Sequence, residues 1–148
     1  MTDAFANKPV LLEMKDVFIE GKSGDDWNPI INGASLTLRK GEVLGLIGES
    51  GAGKSTLGLA AMGYVRGGCR IKSGSVTFDG MELTATSEAT RRGLRGKRIA
   101  YVAQSAAASF NPAHKLIDQY CEAPVEHGVM PRSDAEADAV DLYRRMRL

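Results

Sequence analysis

The chain has little of what several function classes require. Its 148 residues hold two cysteines and two histidines. Cys69 and Cys121 stand alone, without C-x-x-C spacing, so they read as reduced packing thiols rather than a disulfide or a zinc site. No run approaches the roughly 18 uninterrupted apolar residues of a membrane span, and Met1 to Pro9 lacks the basic start and apolar stretch of a secretory signal. These absences predict a cytoplasmic protein that meets a membrane only through partners. Charge of one sign is also missing: 19 basic and 18 acidic residues leave a formal net charge of +1, which argues against a dedicated polyanion binder. The cluster Arg91, Arg92, Arg95, Lys97 and Arg98 has no interleaved aromatics, so a solvated or subunit-facing surface explains it better than nucleic-acid binding. What is present, 43% hydrophobic and 25% charged residues, is an ordinary globular composition with length for one domain.

Against that background one segment stands out. Gly48-Glu49-Ser50-Gly51-Ala52-Gly53-Lys54-Ser55-Thr56 contains a full G-x-x-x-x-G-K-[ST] phosphate-binding pattern, directly after the apolar run Val43 to Ile47. A buried strand, a glycine-rich turn and then a helix-forming run, Leu57 to Met62, aim several backbone N–H groups and a helix N-terminus at one point. Gly48, Gly51 and Gly53 let the backbone wrap closely around an anion, and Glu49, Ser50 and Ala52 complete the wrap. Lys54 supplies a compact positive charge for the β- and γ-phosphates. Ser55 can join a Mg²⁺ shell, and Thr56 can reach the α-phosphate. The point suits a nucleoside triphosphate such as ATP.

The rest of the chain reads as alternating elements. Leu12 and Met14 alternate with Glu13 and Lys15, and Leu36 and Leu38 with Ser35 and Thr37, as in half-buried strands. Gly21 to Pro29, rich in Gly, Asp, Asn and Pro, reads as the loop of an antiparallel pair. Ile71 to Phe78 is a further strand with Val76 and Phe78 on one face, closed by an Asp79-Gly80 hairpin turn. A short helix is expected over Ser87 to Leu94 and a compact apolar strand over Ile99 to Val102. From Pro112 the character turns helical. Ser133-x-x-Glu136 matches a capping box ahead of an apolar stripe, Ala135, Ala139, Leu142 and Met146, on a helix expected to run to the last residue. Acidic residues at its start and Arg144, Arg145 and Arg147 at its end suit the helix dipole.

In order and spacing these segments resemble the ATP-binding cassette of ABC transporters. Arg39-Lys40-Gly41-Glu42 is similar to the family's entry to the phosphate loop, Ser73 to Gly80 to its second hairpin, and Arg98 to Gln104 to the strand ending in the Q-loop glutamine. Gln104-Ser105-Ala106-Ala107-Ala108-Ser109-Phe110-Asn111-Pro112 further resembles the Q-loop extension of oligopeptide, dipeptide and nickel importer ATPases, commonly Q-D-P-x-x-S-L-N-P, with Ser105 and Ala106 in place of Asp-Pro and Phe110 in place of Leu. Read alone, Asn111-Pro112 is also an ordinary turn before a helix.

The resemblance implies an α/β P-loop NTPase of the ABC ATPase type. Residues 1–10 would form an N-terminal tail, 11–112 a partial core with antiparallel β-subdomain and partial parallel sheet, and 113–148 the start of the helical subdomain. It implies MgATP as ligand, with Gln104 helping coordinate Mg²⁺ and the attacking water. Trp27 is the candidate for stacking on adenine; Phe18 competes, and a plain packing role is open for either. Implied partners are transmembrane permease subunits, a second cassette and, indirectly, a periplasmic solute-binding protein, with no nucleic acid. The place implied is the inner face of the cell membrane.

The family's L-S-G-G-Q signature, its aspartate-ended Walker B strand with the following glutamate, and its switch histidine do not occur in these 148 residues; His114 and His127 lie in the wrong region for that switch. Losing the metal-holding acid and the water-polarising glutamate leaves binding without much catalysis. Val43 to Ile47, apolar at every position, further calls for sheet neighbours on both edges, so the chain is expected to be the N-terminal part of a longer cassette. Three functions compete: an importer's energy-coupling ATPase, a nucleotide-binding module without turnover, and a DNA-repair type cassette. The Q-loop extension favours transport over repair.

Overall fold

A computed structural model describes residues 5–105 and 109–147. Ala106, Ala107 and Ala108 of the expected Q-loop extension, the first four residues of the expected tail, and Leu148 lie outside the described residues. The chain divides into two compact units, Met1–Arg92 and Gly93–Leu148.

The first unit is built on a four-stranded antiparallel sheet of order β2-β1-β3-β4, with β1 Val10–Ser23, β2 Asp26–Arg39, β3 Cys69–Phe78 and β4 Met81–Glu82. Met14, Val17, Ile19 and Val76 lie in its core, each 1% exposed or less, with a register shift between Met14 and Val17 that interrupts the alternation. Leu36 and Leu38 are half-buried while Ser35 and Thr37 are exposed, as alternation requires. Asp79 (φ 46°) and Gly80 (φ 82°) form the β3–β4 turn as expected, both left-handed. Helices α1 Lys54–Ala60 and α2 Glu88–Leu94 complete the unit, and the Ser87 hydroxyl accepts the Thr90 N–H at 3.2 Å at the start of α2.

Three expectations about strands and loops need correction. Gly21 to Pro29 is not a loop: pairing continues through Glu20↔Pro29, Gly21↔Asn28, Lys22↔Trp27 and Ser23↔Asp26, leaving only Gly24 and Asp25 as a turn. Composition misled because β2 is an edge strand, where a proline can be accommodated without breaking the ladder. Val43 to Ile47 does not form a strand. It carries no ladder among the described residues, and Val43 and Ile47 are 93% and 100% exposed. A continuous apolar run becomes a buried strand only when neighbours pair both of its edges, and no described strand does so. Ile99 to Val102, in the second unit, is short of partners in the same way: Ile99 makes one isolated bridge to Arg95, and Val102 is 91% exposed.

The second unit holds helices α3 Leu116–Glu126 and α4 Arg132–Arg145, packed on one another. The expected capping box is absent. Arg132 already lies in the helix, Pro131 is the N-cap, and the Ser133 hydroxyl donates to Asp134 instead. Glu136 is drawn to Arg132, whose Nε donates to it at 2.7 Å while the same guanidinium reaches Asp118 on α3. The stripe on α4 is half realised: Ala135 and Ala139 are fully buried, but Leu142 and Met146 are exposed, and the helix ends at Arg145 rather than at the last residue.

Candidate functional site

The segment from Gly48 folds back on itself before entering α1. Gly51 and Gly53 take φ values of 84° and 82°, which only glycine adopts without strain. A Cβ on Gly53 would lie 2.6 Å from Ile31 Cδ1 and 3.4 Å from the Ile30 carbonyl oxygen, so the loop rests against β2 with no room for a side chain. The Ala52 N–H closes a turn on Glu49 O at 3.2 Å, and the Leu57 N–H begins the helical ladder on Gly53 O at 2.8 Å. Between them, among the described residues, the N–H groups of Gly53, Lys54, Ser55 and Thr56 have no backbone acceptor, and neither does that of Gly51. These donors gather where the helix dipole is positive.

Lys54 is turned back over the loop. Its ammonium donates to Gly48 O at 2.7 Å and Glu49 O at 2.5 Å. Both acceptors are neutral carbonyls, and no carboxylate pairs with it among the described residues, so its charge is uncompensated at the mouth of the loop. Ser55 is exposed and Thr56 half-buried. This donor set fits a polyphosphate.

Two other expected site residues, Gln104 and Trp27, lie outside this segment of the chain. Gln104 lies on an exposed bend in the second unit. After it, Asn111 closes a side-chain turn by accepting the Ala113 N–H at 3.0 Å. Gln119 on α3 clamps this turn, accepting from the Asn111 N–H at 2.8 Å and donating to Asn111 O at 2.9 Å and His114 O at 3.0 Å. Sequence reading passed over Gln119, which pattern alone marks only as one more polar helix residue.

Trp27 belongs to the sheet face opposite the loop. Partners across a ladder share a face: Glu20 pairs with Arg70, and Lys22 with Trp27, whereas Ile19 pairs with Ile31. On the Trp27 face the Arg70 guanidinium lies 4.0 Å from the indole ring centre and bonds Glu20 at 3.0 and 3.2 Å, and Lys72 bonds the other Glu20 oxygen at 2.6 Å. These two cations hold the Glu20 carboxyl below its usual range, the Lys72 hydrogen bond contributing most. The phosphate loop touches the other face, through Ile31 and Ile30. Phe18 leans over Gly33, farther along β2.

Comparison with known proteins places this geometry in context. The ABC transporter family profile matches residues 31–147. The oligopeptide transport ATP-binding protein OppD of Salmonella typhimurium is 33% identical over 139 residues, covering 94% of this chain and 41% of its own length. The oligopeptide transport ATP-binding protein AmiE of Streptococcus pneumoniae is 34% identical over 140 residues, with 94% and 39% coverage. The chain thus spans about two-fifths of the length of these relatives. Among solved structures, the ATP-binding cassette MJ0796, a dimer in a post-hydrolysis state bound to ADP and Pi, superposes with a TM-score of 0.74 over 93% of this chain and 58% of its own, at 18% identity. That likeness bears out the expected fold class.

Proposed function

The chain belongs to the ABC transporter family, and from that premise we propose that its Gly48–Thr56 loop holds MgATP as part of the ATP-binding subunit of a peptide importer. The observation that carries the reading is the group of N–H donors of Gly51, Gly53, Lys54, Ser55 and Thr56, without backbone acceptors among the described residues, beside an ammonium that donates to the Gly48 and Glu49 carbonyls. Phosphate oxygens can take the place of those weak carbonyl partners, so binding converts an uncompensated charge into a compensated one. Lys54 then sits against the β- and γ-phosphates. Ser55 is the proposed Mg²⁺ ligand, with Gln104 as the further one that the family resemblance implies. Once bound, the magnesium-complexed triphosphate supplies the labile γ-phosphoryl bond. Lys54 and the loop amides orient it and offset its charge.

The names of the relatives support peptides as the cargo class. On this reading permease subunits and a second cassette are the direct partners, with a periplasmic solute-binding protein acting through the permease, and the protein works at the inner membrane face. Among the described residues no helix is long and apolar enough to cross a membrane. The 148 residues contain neither an L-S-G-G-Q signature nor a Walker B aspartate-glutamate pair, and the proposal for the chain itself is therefore binding with little turnover. Titration calorimetry of the chain with MgATP tests this. Saturable binding is expected, Lys54→Ala should weaken it by about tenfold or more, and phosphate release should stay at background. Equal affinity in Lys54→Ala would overturn the assignment.

A further inference from the structure

Ile30 and Ile31 together join the phosphate loop to the β1–β2 hairpin, and Ile30 also reaches Gly21. The Ile30 Cγ2 lies 3.5 Å from the position of a Gly53 Cβ, and the Ile30 Cδ1 lies 2.8 Å from that of a Gly21 Cβ. Ile30 is the extra residue where the register slips between Ile19↔Ile31 and Glu20↔Pro29, and the slip turns its side chain to the loop side. It remains 36% exposed there. The Cys69 sulfur, 3.9 Å from the same Gly21 position, borders this patch. The surface next to the phosphate loop is thus aliphatic. The three aromatic rings carried by β1, β2 and β3 all lie elsewhere: Trp27 across the sheet beneath Arg70, Phe18 over Gly33, and Phe78 in the core opposite Leu12.

We propose that the base of a nucleotide held by this loop rests on the Ile30 side chain beside Gly21, and not on Trp27, Phe18 or Phe78, so that the site selects triphosphates with little discrimination between adenine and guanine. The inference rests on the phosphate-loop reading above. An aliphatic contact is non-directional and reads neither the exocyclic amino group of adenine nor the carbonyl of guanine. A site that hydrogen-bonded one base would reject the other by orders of magnitude. Trp27 has a separate role, closing the outer face of the sheet with Glu20, Arg70 and Lys72.

The test compares dissociation constants of MgATP, MgGTP and inorganic tripolyphosphate for the 148-residue chain and two variants. ATP and GTP should bind within about threefold of one another, since the contact is apolar area alone. Ile30→Ala should weaken ATP by about three- to tenfold and leave tripolyphosphate unchanged. Trp27→Ala should alter neither. A loss of ATP affinity in Trp27→Ala with tripolyphosphate retained would overturn the proposal while sparing the phosphate loop. Equal loss of both ligands in Ile30→Ala would also overturn it, by making Ile30 a prop for the loop. Failure of the unmodified chain to bind tripolyphosphate would instead remove the phosphate-loop reading itself, and this inference with it.

Discussion

Two apolar stretches of this chain meet opposite fates. Val76 and Phe78 on β3 are 0% and 7% exposed, while Val43 and Ile47, no less apolar, are 93% and 100% exposed. The difference lies in the partners. Val76 sits on a strand whose neighbour β1 pairs it residue for residue, so alternation alone places it inward. Val43 to Ile47 has apolar residues on both faces and would need sheet neighbours on both sides. Hydrophobicity encodes a demand for burial, and only a partner strand meets it. The phosphate loop stands between these regimes. It follows the unpaired segment directly, yet it is anchored through Gly53 to Ile30 and Ile31 of the paired sheet.

The sharpest way to break this contrast is truncation on each side of it. Met14→Ala, in the paired core at 1% exposure, should lower stability by about 2–5 kcal/mol in urea denaturation, whereas Ile47→Ala should stay within about 0.5 kcal/mol. Equal losses would mean that the 43–47 segment is packed in solution. Next in size, Gly53→Ala combines a left-handed backbone with a Cβ 2.6 Å from Ile31 Cδ1 and should cost about 1–3 kcal/mol. By contrast Gly45→Ala, which meets nothing within 4 Å, should be neutral or slightly stabilising.

A smaller effect concerns Glu20. Its folded-state pKa is lowered by Lys72 and Arg70, so its contribution is present above the ordinary carboxylate value of 4.5 and is lost as pH falls through the lower folded-state value. Glu20→Gln should flatten the acid limb of the urea midpoint against pH, and an unchanged limb would count against the pair. Smallest in stability, the double change Val43→Ser and Ile47→Ser should leave the urea midpoint nearly unaltered while reducing self-association in sedimentation velocity, because it removes exposed apolar side chains.

Sequence patterns revealed the sheet more fully than they revealed its limits. Alternation in Leu12 to Lys15 and Ser35 to Leu38, and the Asp79-Gly80 turn, are local signals that the structure reproduces. The glycine-rich loop was legible for the same reason, since each residue type there answers a local demand of backbone or charge. What escaped depends on contacts distant in sequence. Residues 21–29 pair because edge position accommodates Pro29, and Ser133 loses its cap role because Arg132 is drawn to Asp118 on α3. Trp27 falls on the Arg70 side because a register slip at Ile30 resets the faces, a shift of one residue that composition cannot show.

The central claim is that the turn after Gly48 is a cup of free amide hydrogens. Two-dimensional amide NMR of the chain titrated with tripolyphosphate tests it most directly. The account predicts the largest shifts at the N–H groups of Gly51, Gly53, Lys54, Ser55 and Thr56, saturating together and abolished in Lys54→Ala. Shifts confined to Arg91, Arg92 and Lys97, or no saturable change in the loop, would contradict it.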